Sequence, residues 1–278
     1  MAHTPAKISE MRKAFRALHV SGCFVIPNPW DIGSAKYLQS LGFKALASTS
    51  SGLAWSLGQA DNKLSLETVL AHLRDIVEAT DLPVNADFEG GFAENPQGVW
   101  ESVARAVATG VAGLSIEDST GDAADPVRSV ADAVARMKAA RGAIDDAGGE
   151  VLLVGRAENF IVGRPDLADT IVRLKAYSEA GADVLYAPGI SRKEDIAAVV
   201  AAVAPKPVNL LVGSASTLTV AEIAALGVRR ISVGGALARS AWGGFTRAAQ
   251  TLAEQGRFDG FADAAPGSQL NALFNPPL

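Results

Sequence analysis

An α/β fold of the (β/α)8 TIM-barrel type, with an N-terminal helix and a C-terminal helical tail, is what the sequence predicts, and three observations predict it. Eight short apolar or β-branched runs alternate with stretches of helical spacing, the pattern of a parallel sheet with crossover helices. Several helical stretches end in a glycine phrase that turns the chain into the next run. The length of 278 residues suits one barrel, a fold that typically takes about 250, so residues 1–278 are expected to form one domain.

Taken in order, the opening MAHTPAKISEMRKAF is polar and helical in spacing, without the apolar core of a secretion signal. The eight runs are residues 24–27, 45–49, 84–87, 113–117, 152–156, 184–187, 208–212 and 231–233. Helical spacing covers 66–80, 99–109, 127–147, 166–180, 193–203 and 220–226. The phrases LGF at Leu41, TGVAG at Thr109, AGAD at Ala180 and LGV at Leu226 put glycine where a helix must end, because glycine takes the left-handed cap conformation without steric penalty. Pro83 and Pro207 fall at strand entrances, where a missing N–H matters least. The tail, 257–278, is loose in Gly, Pro and Ala but keeps an apolar stretch at 270–274 that suits packing on the barrel or on a neighbouring subunit.

Bulk properties exclude several partners. A net charge of −5 and a pI near 5.3 argue against a phosphate-backbone ligand, so no nucleic acid is expected. Apolar runs such as 196–203 fall well short of the roughly 20 residues that span a bilayer, so no membrane is expected either. The single cysteine, Cys23, forbids an intrachain disulfide and suits a reducing compartment, which points to the cytoplasm.

Barrel enzymes carry their chemistry at the C-terminal ends of the strands. Here those ends are acidic. The third run ends Asn85-Ala86-Asp87-Phe88-Glu89, and a period of two puts Asn85, Asp87 and Glu89 on one face. The fourth ends Glu117-Asp118 and the fifth Arg156-Ala157-Glu158-Asn159. Two carboxylates about 4 Å apart repel by roughly 4 kcal/mol at an effective dielectric near 20, so a convergent set calls for a cation. Oxygen ligands with no histidine or thiolate at a strand end (His3, His19 and His72 all lie elsewhere) favour magnesium or manganese over zinc. Arg156 offers a planar fork for a carboxylate, and the turn Ser48-Thr49-Ser50-Ser51-Gly52 is rich in hydroxyls and amides able to hold an anion. Asp61, in GQAD, is read either as a turn residue or as a reach into the metal's water shell.

The phrases NPWDIGSAKYLQSLGFKALASTSSG, LGQAD, PVNADFEGGF, GVAGLSIED, VGRAENFIVG and GADVLYAPG, in this order over residues 24–244, resemble the isocitrate lyase / phosphoenolpyruvate mutase superfamily. The resemblance implies that Asp87 ligates magnesium directly while Asp61, Glu89 and Glu117 hold it through water. It implies that Thr49, Ser50, Ser51, Gly52 and Arg156 grip the substrate's carboxylate and 2-oxo oxygen; Trp30 and Asn85 are expected among the substrate contacts as well. It also implies a homo-oligomer, a dimer or a tetramer, in which a C-terminal helix is swapped between subunits.

One segment departs from the family. Where the Cys-dependent lyases carry Lys-Lys/Arg-Cys-Gly-His after the fourth strand, this chain has Ser119-Thr120-Gly121-Asp122-Ala123-Ala124-Asp125-Pro126, and Ala123 and Asp125 fall near the mutase's lysine and asparagine. The expected activity is therefore a magnesium-dependent lyase or decarboxylase that cleaves a C–C bond next to the 2-oxo or 2-hydroxy acid group of a small carboxylate through an enolate-like intermediate, with Arg156, Glu117, Asp122 and Asp125 as its catalytic groups. The alternatives are P–C bond chemistry on a phosphonate, a barrel in which Gly213-Ser214 and Gly234-Gly235 cradle a phosphate, and a non-catalytic metal- and carboxylate-binding relative.

Overall fold

The computed structural model describes residues 2–275. The chain opens with α1 (Pro5–Leu18), capped by the Thr4 hydroxyl on the Lys7 N–H. It continues through β1 (Phe24–Ile26), α2 (Ile32–Ser40), β2 (Leu46–Ala47), α3 (Ser50–Ser56), α4 (Leu66–Ala79), β3 (Val84–Asp87), α5 (Pro96–Val107), β4 (Gly113–Glu117) and α6 (Val130–Asp146). Then come β5 (Leu152–Arg156), α7 (Leu167–Glu179), β6 (Val184–Tyr186), α8 (Lys193–Val203), β7 (Val208–Leu211), α9 (Val220–Ala225), β8 (Arg230–Ser232) and α10 (Ala236–Gln255). A 3-10 turn (Asp259–Phe261) and α11 (Gly267–Phe274) follow.

All eight expected strands are present and pair in parallel, in the order β1-β8-β7-β6-β5-β4-β3-β2. The Ala47 N–H donates to the Pro27 carbonyl at 3.0 Å and links the two ends of the sheet, so the strands form a nearly closed barrel. Boundaries shift where side chains cap helices. Asn95 accepts from Gly98 N at 2.9 Å with Pro96 in the first turn, so α5 starts three residues before its periodicity does. Conversely, α6 starts late because Ser129 caps it while Val127 bridges to Ser119. β8 begins one residue earlier than its apolar run, and that residue is Arg230.

The main apolar core lies between sheet and helices, with Leu73, Ile76, Phe88, Leu114, Ile116 and Tyr177 fully buried. A second cluster fills the barrel interior. Phe15 of α1 enters the N-terminal end and packs with Ile26, Ala112, Leu152 and Val184. It comes so close to β4 that a Cβ at Gly113 would stand 2.7 Å from both the Phe15 ring and Asn85 Oδ1. With its lower end filled, the barrel opens only at the C-terminal ends of its strands.

In the tail, α11 lies against α2 of its own chain, Phe274 Cζ coming within 3.5 Å of where a Gly33 Cβ would be. α10 buries only Ala238 and leaves Trp242, Phe245 and Leu252 exposed. No helix among the described residues is long and apolar enough to cross a membrane.

Candidate active site

The site grows from the β2–α3 turn. Thr49 is the N-cap of α3 and accepts from the Gly52 N–H at 3.3 Å, which directs the first amides of this helix over the end of β3. The Ser48 hydroxyl oxygen accepts from Asp87 N at 2.9 Å, and Asp87 Oδ2 accepts from Ser50 N at 3.0 Å. Backbone and side chain of Asp87 are thus both fixed, and its other oxygen accepts from Arg156 Nη1 at 3.1 Å.

Arg156, the last residue of β5, is the hub of the mouth. Its Nη1 also lies 3.2 Å from Glu117 Oε2, its Nε donates to Glu158 Oε1 at 2.5 Å, and its guanidinium carbon sits 5.2 Å from the Tyr186 ring centroid. Behind it, Asp118 accepts from Glu158 N at 2.8 Å, from Tyr177 Oη at 2.5 Å and from Arg173 Nη1 at 3.1 Å. The backbone that carries Glu158 is therefore anchored to α7.

One guanidinium does not balance these acids. Burial raises the Glu117 carboxyl well above the ordinary carboxylate range; Arg156 pulls it down, while Glu158, Asp87 and Glu89 push it up. Burial also raises Glu158 against the pull of Arg156, and brings Glu89 to about 7 with help from Asp87 and Asp61. Glu89 Oε1 is buried with no hydrogen-bond partner. Such an oxygen-only, acid-rich site with an orphaned carboxylate oxygen fits a hard divalent cation. Among the described residues no three acidic, histidine or cysteine side chains stand close enough to ligate one ion between them, so an ion held here would take most of its ligands from water.

A cavity of about 170 Å³ at the mouth is lined by Thr49, Ser50, Ser51, Asp61, Asn85, Asp87 and Arg156 of the expected set. Glu89 and Glu117 line an adjoining hollow with Ser119, Thr120 and Arg128. The period of two does not carry Glu89 onto the face of Asp87: β3 stops at Asp87, Phe88 turns into the core, and Glu89 sits in a turn at φ +46°, its carbonyl accepting from Glu117 N at 3.0 Å. Gly52 lines neither space: its N–H donates to the Thr49 cap, and its α-carbon is packed against Thr49, Trp30 and Ala238. Trp30 lines a separate apolar hollow with Trp242 and Phe245. Asp122 and Asp125 are exposed and serve their own loop, Asp122 Oδ1 accepting from Ala124 N at 2.9 Å and the Asp125 carbonyl from the Thr120 hydroxyl at 2.5 Å.

Sequence reasoning gave no role to several residues at the mouth or in the cavity. Glu158 stands two positions after Arg156, and alternation alone would have set it on the same face. Asn209 is a polar residue inside an apolar run, and Ser232 and Tyr186 also reach the cavity. Arg230 was hidden because its run was begun one residue late.

Comparison with known proteins gives one answer at several ranges. A family model for phosphoenolpyruvate phosphomutase matches residues 15–253. A solved structure of a candidate lyase/mutase from Burkholderia cenocepacia J2315 superposes with a TM-score of 0.94 at 47% identity, covering 97% of this chain and 98% of that one. The structure of 2,3-dimethylmalate lyase, a PEP mutase/isocitrate lyase superfamily member, superposes with a TM-score of 0.84 at 25% identity over 97% of this chain and 94% of that one. The oxaloacetate decarboxylase of Bradyrhizobium diazoefficiens is 31% identical over 202 residues, 70% of this chain and 68% of that protein.

Proposed function

This chain belongs to the phosphoenolpyruvate phosphomutase family, within the PEP mutase/isocitrate lyase superfamily of lyases and mutases, and on that premise we propose that it is a magnesium-dependent lyase or decarboxylase acting on a small 2-oxo or 2-hydroxy acid. The observation that carries the reading is Arg156, held among Asp87, Glu117 and Glu158 in a cavity that opens at the barrel mouth.

Asp87 is the group that would hold magnesium directly, with Asp61, Glu89 and Glu117 reaching it through water. A bound magnesium would supply a Lewis acid for the 2-oxo oxygen. The protein's own groups do the rest. Ser50 and Ser51 present hydroxyls to the carboxylate. Arg156 offers the planar fork that orients it and meets the negative charge that grows on the oxo oxygen as the C–C bond breaks and its electron pair moves into an enolate-like system. Removing one such preorganised donor typically costs 10²–10³ in turnover. When the departing fragment is carbon dioxide, the reaction needs this charge sink more than it needs a base. That suits a loop after β4 with no cysteine or histidine, and the oxaloacetate decarboxylase relative points the same way.

The oligomer belongs to the same proposal. The exposed Trp242, Phe245 and Leu252 on α10 would be covered in a dimer or tetramer.

The test is pyruvate release from oxaloacetate, 2-methylmalate-type acids, 2-methylisocitrate and phosphonopyruvate, with and without chelator. Chelator-sensitive release from a phosphorus-free acid is expected; release from phosphonopyruvate alone overturns the reading. Asp87→Ala should lose magnesium binding by calorimetry, and binding as tight as in the parent protein would place the metal elsewhere.

A further inference from the structure

Beneath the mouth, the barrel interior holds a second guanidinium. Arg230, at the start of β8, is 3% exposed. Its Nε donates to Asn209 Oδ1 at 2.8 Å and its Nη1 to Asn85 Oδ1 at 3.3 Å, both neutral acceptors. Asn209 is in turn held by the Ser232 hydroxyl at 2.9 Å, and Asn85 by its place on β3. No carboxylate among the described residues is paired with Arg230, and the one neighbour that favours its charge is the phenol of Tyr186. Among the described residues its Nη2 makes no hydrogen bond, and Arg230 lines the same cavity as Arg156.

A buried cation without a counter-ion is strongly disfavoured unless something else supplies the anion. A barrel that only needed this volume filled would take an uncharged side chain, as it does with Phe15 below. Burial brings the Arg230 guanidinium down to about 10, still cationic at neutral pH. The mouth has acids in surplus and the floor has none, so one anion at the floor completes the charge pattern of the cavity.

We propose that Arg230 is a second anion-binding subsite, which holds the distal acidic group of the substrate while Arg156 holds the 2-oxo or 2-hydroxy acid end. Two features favour a carboxylate as that group over a phosphate. The open edge of one guanidinium matches two coplanar oxygens, whereas the other floor groups, Asn85 and Asn209, already turn their oxygens to Arg230 and leave few donors for a third. The cavity, about 170 Å³, is also small. The subsite rests on the reading of this cavity as the substrate site, and it makes Arg230 a specificity-determining residue that selects dicarboxylates over monocarboxylates.

Calorimetry with malate and its 4-amide, in the presence of magnesium, tests it, because the two probes share an acid head and a shape and differ in the distal charge. The wild-type protein should bind malate about tenfold more tightly than the amide, a difference of about 1.4 kcal/mol. In Arg230→Gln that preference should fall to about one, with Arg230→Lys in between. Equal binding of the two probes by the wild-type protein overturns the subsite without any variant, and so does an equal proportional loss of both in Arg230→Gln, the mark of a merely structural role. A preference that depends on Arg230 in a protein that cleaves no C–C bond would support the subsite and sink the lyase; cleavage with equal binding of the probes would do the reverse.

Discussion

At the barrel mouth one guanidinium, Arg156, stands among Asp87, Glu117 and Glu158, whereas at the floor another, Arg230, stands among Asn85 and Asn209. Both are arginines inside one barrel, Arg156 partly and Arg230 almost fully buried, yet their surroundings push them in opposite directions. Burial works against the charge of both, but the acids more than offset it at Arg156, whose pKa ends well above its usual value, while Arg230 ends below it. The difference teaches that the interior is polarised along the barrel axis, acid-rich at the mouth and, among the described residues, with an unpaired guanidinium beneath.

The largest expected effect breaks the upper half of that pattern. Arg156→Met leaves the buried acids without their counter-ion, and removing one partner of a buried pair typically costs about 3–5 kcal/mol. Urea unfolding at neutral pH should show a loss of that size; a loss under about 1 kcal/mol would mean the acids are already neutral in the folded protein.

Next comes the floor. His19 lies in the neighbourhood of Arg230, its Nδ1 paired with the Phe15 carbonyl at 2.8 Å and its Nε2 unpartnered, and burial followed by the charge of Arg230 lowers it to about 3. A folded-state value below the unfolded one means that protonation favours the unfolded chain. The contribution is therefore complete above pH 6.5 and is lost as pH falls toward 3. Between pH 6.5 and 4 this group alone should remove about 3 kcal/mol of stability. His19→Asn should flatten that part of the urea-derived profile and leave the share of His72, which burial lowers to about 4. An unchanged slope would assign the acid sensitivity to other groups.

The smallest effect sharpens the comparison. Glu117→Gln removes one acid from the surplus, so the metal-free protein at pH 8 should gain about 1 kcal/mol while its magnesium affinity falls. A loss of stability instead would show that the mouth acids are matched to Arg156 rather than in excess.

The strands were legible because they are short apolar or β-branched runs, buried nearly throughout, and the helices between them end in glycine. The acid mouth was legible because polar residues interrupt apolar runs at one end. Glu89 was placed near its neighbours for an incorrect reason, since a left-handed turn brings it close and no strand period could foresee that. Trp30 was expected among the substrate contacts but lines a separate hollow with Trp242 and Phe245 of α10, more than 200 positions later in the chain, which no local pattern could foresee. Arg230 escaped because a charged residue at the border of an apolar run reads as solvent-facing until the strand register is known.

The segment between β4 and α6 is closed on itself. Ser119 and Val127 bridge at its base, Arg128 N donates to the Asp118 carbonyl at 2.8 Å, and Arg173 grips the Arg128 carbonyl at 2.7 Å. Its outer residues hang from this fixed clasp, with Arg164 Nη2 donating to the Ala124 carbonyl at 3.2 Å. A pendant held in this way can change its own sequence without refolding the container from which it hangs.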